Sequence, residues 1–219
     1  MMPIVMAARG GRDPVEAGLV ASLAHPGGNT TGVTLMTAET TAKRFEFLHE
    51  VVPGLSRMAL LLDAGHASRH AHLHDHEAAA RVLGVQLRSV AVRSPDEFEA
   101  MFQTLTREHV QALIMVQSPL FATHRPWLAA LALASHLPTI SGETGYAEAG
   151  GLMNYGPSIP ESWPRTAYYV DRLLKGAKPA DLPVEQPMTF EMAINLKTAE
   201  TLGLTIPPSL LLQADQVIR

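Results

Sequence analysis

Apolar positions along this chain fall into short blocks separated by stretches of helical period. MALLLD (58–63) and ALIMV (112–116) are continuous rather than alternating, the pattern of strands buried on both faces. The pattern predicts strands over Pro3–Ala8, Gly32–Leu35, Arg57–Leu62, Val85–Val92, Ala112–Val116, Pro138–Ser141 and Leu152–Tyr155. Between them it predicts helices near Pro14–Leu23, Thr40–Val51, Ser68–Leu83, Pro95–Glu108, Arg125–Ser135 and Glu161–Leu174. Strands alternating with helices at this spacing make an α/β fold with parallel sheets covered on both sides. A Pro-rich crossing over Lys178–Pro187 and a final helix-loop-helix close the chain.

Local punctuation supports several of these boundaries. Asp13 before Pro14 reads as a capping carboxylate ahead of a first-turn proline. Ser94-Pro95-Asp96-Glu97 reads as a capping box. Gly84 and Gly176 stand where helices end in a left-handed residue. By strand count, residues 57–155 form a complete small α/β domain. Residues 1–35 supply only two strands, a poor sheet by themselves.

Composition narrows the function. The 219 residues are 47% hydrophobic, enough for a sizeable core, and carry 17 basic against 21 acidic side chains, a net charge of −4. No basic block marks a nucleic-acid partner. Cysteine is absent, which excludes disulfides, thiolate metal sites and cysteine nucleophiles. No apolar run reaches the ~18 residues of a membrane span, and MMPIVMAARGG shows no signal-peptide pattern.

Three stretches carry a resemblance to a known family. They are PIVMAARGGRDPVEAGLVASLAHPGGNTTGVTL, then TAKRFEFLHEVVPGLSRMALLLD, then the tail from YAEAGGLMNYGPSIPESW through GAKPADLPVEQP to NLKTAETLGLTIPPSLL. They resemble the ABC-transporter substrate-binding family related to tryptophan- and tyrosine-binding lipoproteins, over essentially the whole chain. DPV alone is weak; the long tail pattern is specific. The resemblance implies a type I periplasmic-binding-protein fold of two α/β/α lobes with parallel sheets. It also implies no cofactor, no catalysis, an ABC permease as partner and an extracytoplasmic setting, or a cytoplasmic one if Met1 is the true start. Family members carry roughly 90 further residues, at about 30 per βαβ unit, ahead of the strand matching Pro3–Ala8. The expectation is therefore a short or truncated form. Its parts are a partial first lobe (1–55), a complete second lobe (56–155) and a return segment (156–219) packing on lobe one and the hinge. Hinge candidates are Val52–Ser56, Gly156–Pro160 and Lys178–Pro187. The incomplete lobe predicts self-association and weak or absent ligand binding by residues 1–219 alone.

In open parallel sheets ligands bind beyond the carboxyl ends of the strands. With the resemblance, that rule nominates Arg9, Asp13, Thr34, Thr37, Gln117, Ser118, Glu143, Thr144 and Tyr155 as contacts for a small organic solute, with an amino acid as the candidate, closed in by hinge motion. Glu143 would face an ammonium, Gln117 and Ser118 polar groups, and Tyr155 would form a wall. Each has a plainer reading: Asp13 as a cap, Arg9 and Arg12 as solvated charges, Glu143 and Thr144 as caps of a short helix at Tyr146–Ala149, Tyr155 as core.

HASRHAHLHDHE (66–77) holds five histidines, with i,i+4 pairs at His70/His74 and His72/His76. The plainer reading is a polar, solvated helix start whose inner face uses Leu73, Ala80 and Leu83; no metal is assigned. Protonation of histidines at a helix start would loosen it as pH falls. Without a nucleophile elbow, enzyme chemistry rests only on this run; the approach of Asp63 and Glu143 is not decided by spacing. Two alternatives therefore stand beside the solute-binding reading: a ligand-sensing or regulatory module of the same fold, and a metal-dependent hydrolase using His66–His76.

Overall fold

The fold is that of a computed structural model, which describes every residue except Met1, Gly11, Arg12, Met36, Thr37, Ala67, Ser68, Pro187 and Met188. In chain order the elements begin β1 (Ile4–Gly10), β2 (Thr30–Leu35), α1 (Ala38–Val51), β3 (Arg57–Asp63), α2 (Arg69–Val82) and β4 (Gln86–Val92). Next come α3 (Phe98–Arg107), β5 (Ala112–Met115), α4 (Pro119–Thr123), α5 (Arg125–Ala134), β6 (Thr139–Ser141) and β7 (Met153–Pro157). The chain ends with α6 (Ile159–Leu174), β8 (Phe190–Asn195), α7 (Leu196–Thr201), α8 (Pro208–Gln213) and β9 (Gln216–Ile218). They sort into two compact units, 1–37 with 157–190 and 38–156 with 191–219.

In the first unit β1 and β2 pair in parallel, Ile4 opposite Thr30, with a register shift between Met6 and Arg9. Helix α6 packs on both strands. Val33, Tyr169 and Leu182 form one small core, and Met6, Val20 and Val184 another. The Pro-rich crossing is stitched to the sheet. The Glu185 amide donates to the Gly32 carbonyl at 2.9 Å, and the Thr31 hydroxyl donates to the Leu182 carbonyl at 2.7 Å.

The second unit is built on one sheet ordered β4-β3-β5-β6-β7-β8-β9, parallel at each of β3–β4, β3–β5, β5–β6, β6–β7 and β8–β9. The chain moves outward from β3 to β4, then returns to the other side at β5. That places a topological switch point between β3 and β5, where parallel sheets take ligands. Residues 58–62 and 112–116 are buried throughout, as their continuous apolar runs require. Phe45, Leu48, Phe98, Phe102, Leu128, Ile194 and Leu210 complete the core around them.

Several expectations change. Pro14–Leu23 forms one turn over Pro14–Gly18 followed by bends instead of a helix, because Gly18 takes a left-handed φ of 67° after that turn. Ser94 makes no side-chain cap; Glu97 Oε2 instead accepts the Arg93 amide at 3.1 Å. Tyr146–Ala149 is turn as well. The α2 inner face buries His72, His76 and Ala80, while His70 and His74 are exposed, so this helix start is not uniformly solvated. Residues 38–55 and 191–219 group with the second unit, where the sequence reading set them with the first lobe and its return segment. Gly84 and Gly176 do take positive φ.

Candidate functional site

Three loops of the second unit meet at the switch point. β3 ends in Asp63, β5 runs through Val116 into Gln117 and Ser118, and β6 runs from Ser141 into Gly142 and Glu143. Ser118 is their common node. Its hydroxyl donates to Asp63 Oδ2 at 2.6 Å and accepts the Leu120 amide at 3.0 Å, capping α4. The Ser118 amide donates to Glu143 Oε1 at 2.7 Å. Asp63 and Glu143, far apart in sequence, therefore converge on one residue. Asp63 Oδ1 also accepts the Gly65 amide at 2.8 Å, and Gln117 Nε2 donates to the Gly142 carbonyl at 2.8 Å.

Burial pushes the Glu143 carboxyl up from its ordinary pKa, against the pull of the Ser118 amide and the nearby Arg125 and Arg44 charges. Among the described residues its one hydrogen-bond partner is the Ser118 amide, which leaves acceptor capacity on the carboxylate. Thr144 contributes its carbonyl, which accepts a hydrogen bond from Arg125 Nη1. Tyr155 sets its ring edge-on to Phe47 at 5.1 Å and packs on the core; its backbone carbonyl accepts from Arg44 Nε at 2.7 Å.

Arg44, which the sequence reading did not nominate, stands at the same strand ends. It is 2% exposed, and burial lowers its pKa to about 10, opposed by the Glu143 charge. The signal was present: Thr41, Arg44, Phe45 and Leu48 share one helical stripe, so Arg44 is a cation on a buried face. Its guanidinium fills the space over Gly142, where an added Cβ would stand 2.8 Å from Nη2.

The remaining nominated residues lie in the first unit. Asp13 caps a turn, its Oδ1 accepting the Val15 amide at 2.6 Å, in accord with its plainer reading. Thr34 is buried, and its amide donates to the Glu185 carbonyl at 2.9 Å. The Arg9 backbone pairs with Thr34 across β1 and β2. Thr37, Arg12 and the Arg9 side chain lie outside the described residues.

Among the described residues no group of three or more His, Asp or Glu side chains is placed to hold a metal ion. An open depression of about 550 Å³ lies at the carboxyl ends of α3 and α5, lined by Gln103, Arg107 and His136 among others. Those helices lead into β5 and β6, so it borders the amino ends of the strands, away from the Ser118 node. No described helix is long and apolar enough to cross a membrane.

Residues 1–218 match the family model described as ABC transporter substrate binding protein. A tyrosine-binding protein of Clostridioides difficile (strain R20291) is 23% identical over 203 residues, 93% of this chain and 57% of that protein. The chain thus spans a little over half the length of this curated relative. An ABC domain in complex with L-Trp from Streptococcus pneumoniae shares the fold at TM-score 0.87 and 31% identity, over 99% of this chain and 72% of that one. A conserved domain protein from Vibrio cholerae gives TM-score 0.88 at 25% identity, over 98% of this chain and 71% of that one.

Proposed function

Because the chain belongs to the ABC transporter substrate-binding protein family, we propose that it captures an α-amino acid for an ABC importer, at the strand ends around Ser118. That family consists of substrate-binding proteins, not enzymes. The observation that carries the ligand class is Glu143, a carboxylate destabilised by burial and held by one backbone amide, in reach of the switch point. The ligand ammonium would pair with Glu143, while Gln117 and Ser118 would meet its polar groups. The named ligands of similar proteins, tyrosine and L-Trp, are the first candidates. An ABC permease as partner and work outside the cytoplasmic membrane follow from the same reading.

Nuclear magnetic resonance titration with tyrosine and tryptophan tests it, since chemical-shift changes report even millimolar binding. Saturable shifts at Gln117, Ser118, Glu143 and Thr144 are expected. Saturable shifts confined to other residues, or none with any amino acid, would overturn the reading.

A further inference from the structure

Three buried side-chain atoms have no hydrogen-bond partner among the described residues: Thr41 Oγ1, Arg44 Nη2 and His76 Nε2. Buried polar atoms are nearly always paired, so three orphans call for a common cause. Two of them lie on α1 and one on α2. Thr41 and Arg44 sit one turn apart on α1, and α1 packs against α2. His76 faces α1 from α2, its ring centroid 6.0 Å from that of Phe45. Thr41, Arg44 and Phe45 share one stripe of α1, so the packing of His76 on Phe45 brings its ring to that stripe. Thr41, Arg44 and His76 are respectively 1%, 2% and 0% exposed.

The donor and acceptor roles are fixed by chemistry. His76 Nδ1 lies 2.6 Å from the His72 carbonyl oxygen, which can only accept. Nδ1 therefore carries the proton, and on the neutral ring Nε2 is an acceptor. Arg44 Nη2 can only donate, and the Thr41 hydroxyl can do either. An anion would suit Arg44 but meet the lone pair of His76. A cation would suit His76 but meet the guanidinium. A small molecule that both donates and accepts satisfies all three.

We propose that an ordered internal water bridges Thr41, Arg44 and His76, making His76 a positioning residue for Arg44. Such waters make about three hydrogen bonds to otherwise unsatisfied groups, the number available here. The consequence reaches the strand ends. With Nη2 tied to the water and Nε tied to the Tyr155 carbonyl, the guanidinium plane is set over Gly142. Gly142 in turn precedes Glu143 and accepts from Gln117. The water site itself does not depend on which ligand the strand ends take.

Long-range proton–nitrogen correlation on the unaltered, ¹⁵N-labelled chain tests the acceptor role. His76 is expected as the Nδ1–H tautomer with an unprotonated Nε2; the opposite tautomer overturns the proposal. Thermal denaturation of Thr41→Val, His76→Leu and the double variant tests the shared water. The double variant is expected to lose no more than the larger single loss, whereas additive losses overturn the proposal. His76→Gln keeps an acceptor near Nε2 and is expected to restore the Gly142 amide resonance that His76→Leu shifts. Failure of that rescue removes His76 as a positioning residue. Should the leucine variant not fold, the tautomer of the unaltered chain decides.

Discussion

The Ser118 hydroxyl donates to Asp63 Oδ2 at 2.6 Å across the switch point between β5 and β3. The same residue offers its amide to Glu143 on the loop after β6, so one serine ties three strand ends together.

Ser118→Ala removes the bond to Asp63 and the cap on the Leu120 amide while leaving the backbone bond to Glu143. The expected loss is about 1–2 kcal/mol of unfolding free energy, read from the urea midpoint. A midpoint equal to that of the unaltered chain would refute the role of the hydroxyl.

Glu143→Gln keeps the shape and removes the charge. Amino-acid binding should weaken at least about tenfold, corresponding to ~1.4 kcal/mol, with the fold retained. Because burial raises the Glu143 pKa, the carboxylate is lost on acidification sooner than in an exposed glutamate. Affinity should fall as pH is lowered, and the glutamine variant should show a flatter profile. Nuclear magnetic resonance titration across pH checks both points.

His72 and His76 are buried and neutral. Burial, the neighbouring histidines and the Arg44 charge lower their pKa values to about 4 and about 3. The unfolded chain binds these protons near the ordinary value of about 6.5. Their contribution to stability is therefore present above about pH 6.5 and is lost as pH falls toward 4 and 3. Melting temperature should drop through that window, and a leucine at His76 should reduce the slope. A slope unchanged in that variant would place the acid sensitivity elsewhere.

Two glycines are fixed by close backbone approach. A Cβ on Gly156 would stand 2.4 Å from the Gly142 carbonyl oxygen, and one on Gly32 would stand 2.3 Å from the Met6 carbonyl oxygen. Gly32 also holds φ at 124°. Gly32→Ala and Gly156→Ala should each cost about 2–3 kcal/mol. Gly176→Ala meets no neighbour within 4 Å and strains only its own φ of 94°, so it should cost less. Chemical denaturation ranks the three, and a reversed order would contradict the packing argument.

Much of the architecture is legible in one dimension. Runs such as 58–62 can be buried only within a covered sheet, and the positive φ of Gly84 answers a local steric demand. FEMAIN and QVI were not legible as β8 and β9: each is short, and each becomes a strand only by extending an edge already built from β3 to β7. The single turn after Asp13 reads as a helix in one dimension because Gly18 is tolerable within a helical period.

The nominated cluster at Gln117, Ser118, Glu143 and Thr144 lies together at the strand ends, but its organisation is tertiary. Asp63 and Ser118 are 55 positions apart, and Ser118 and Glu143 are 25 apart. Their meeting depends on parallel crossovers that return every strand's carboxyl end to the same edge. By itself the sequence determined most of the strands and helices and pointed to the family, because periodicity, caps and motif spacing are local properties of the chain. Only the tertiary structure decided that Arg44, His72 and His76 are buried and that two carboxylates share one serine. Burial and convergence belong to packed elements, and residue spacing does not encode them.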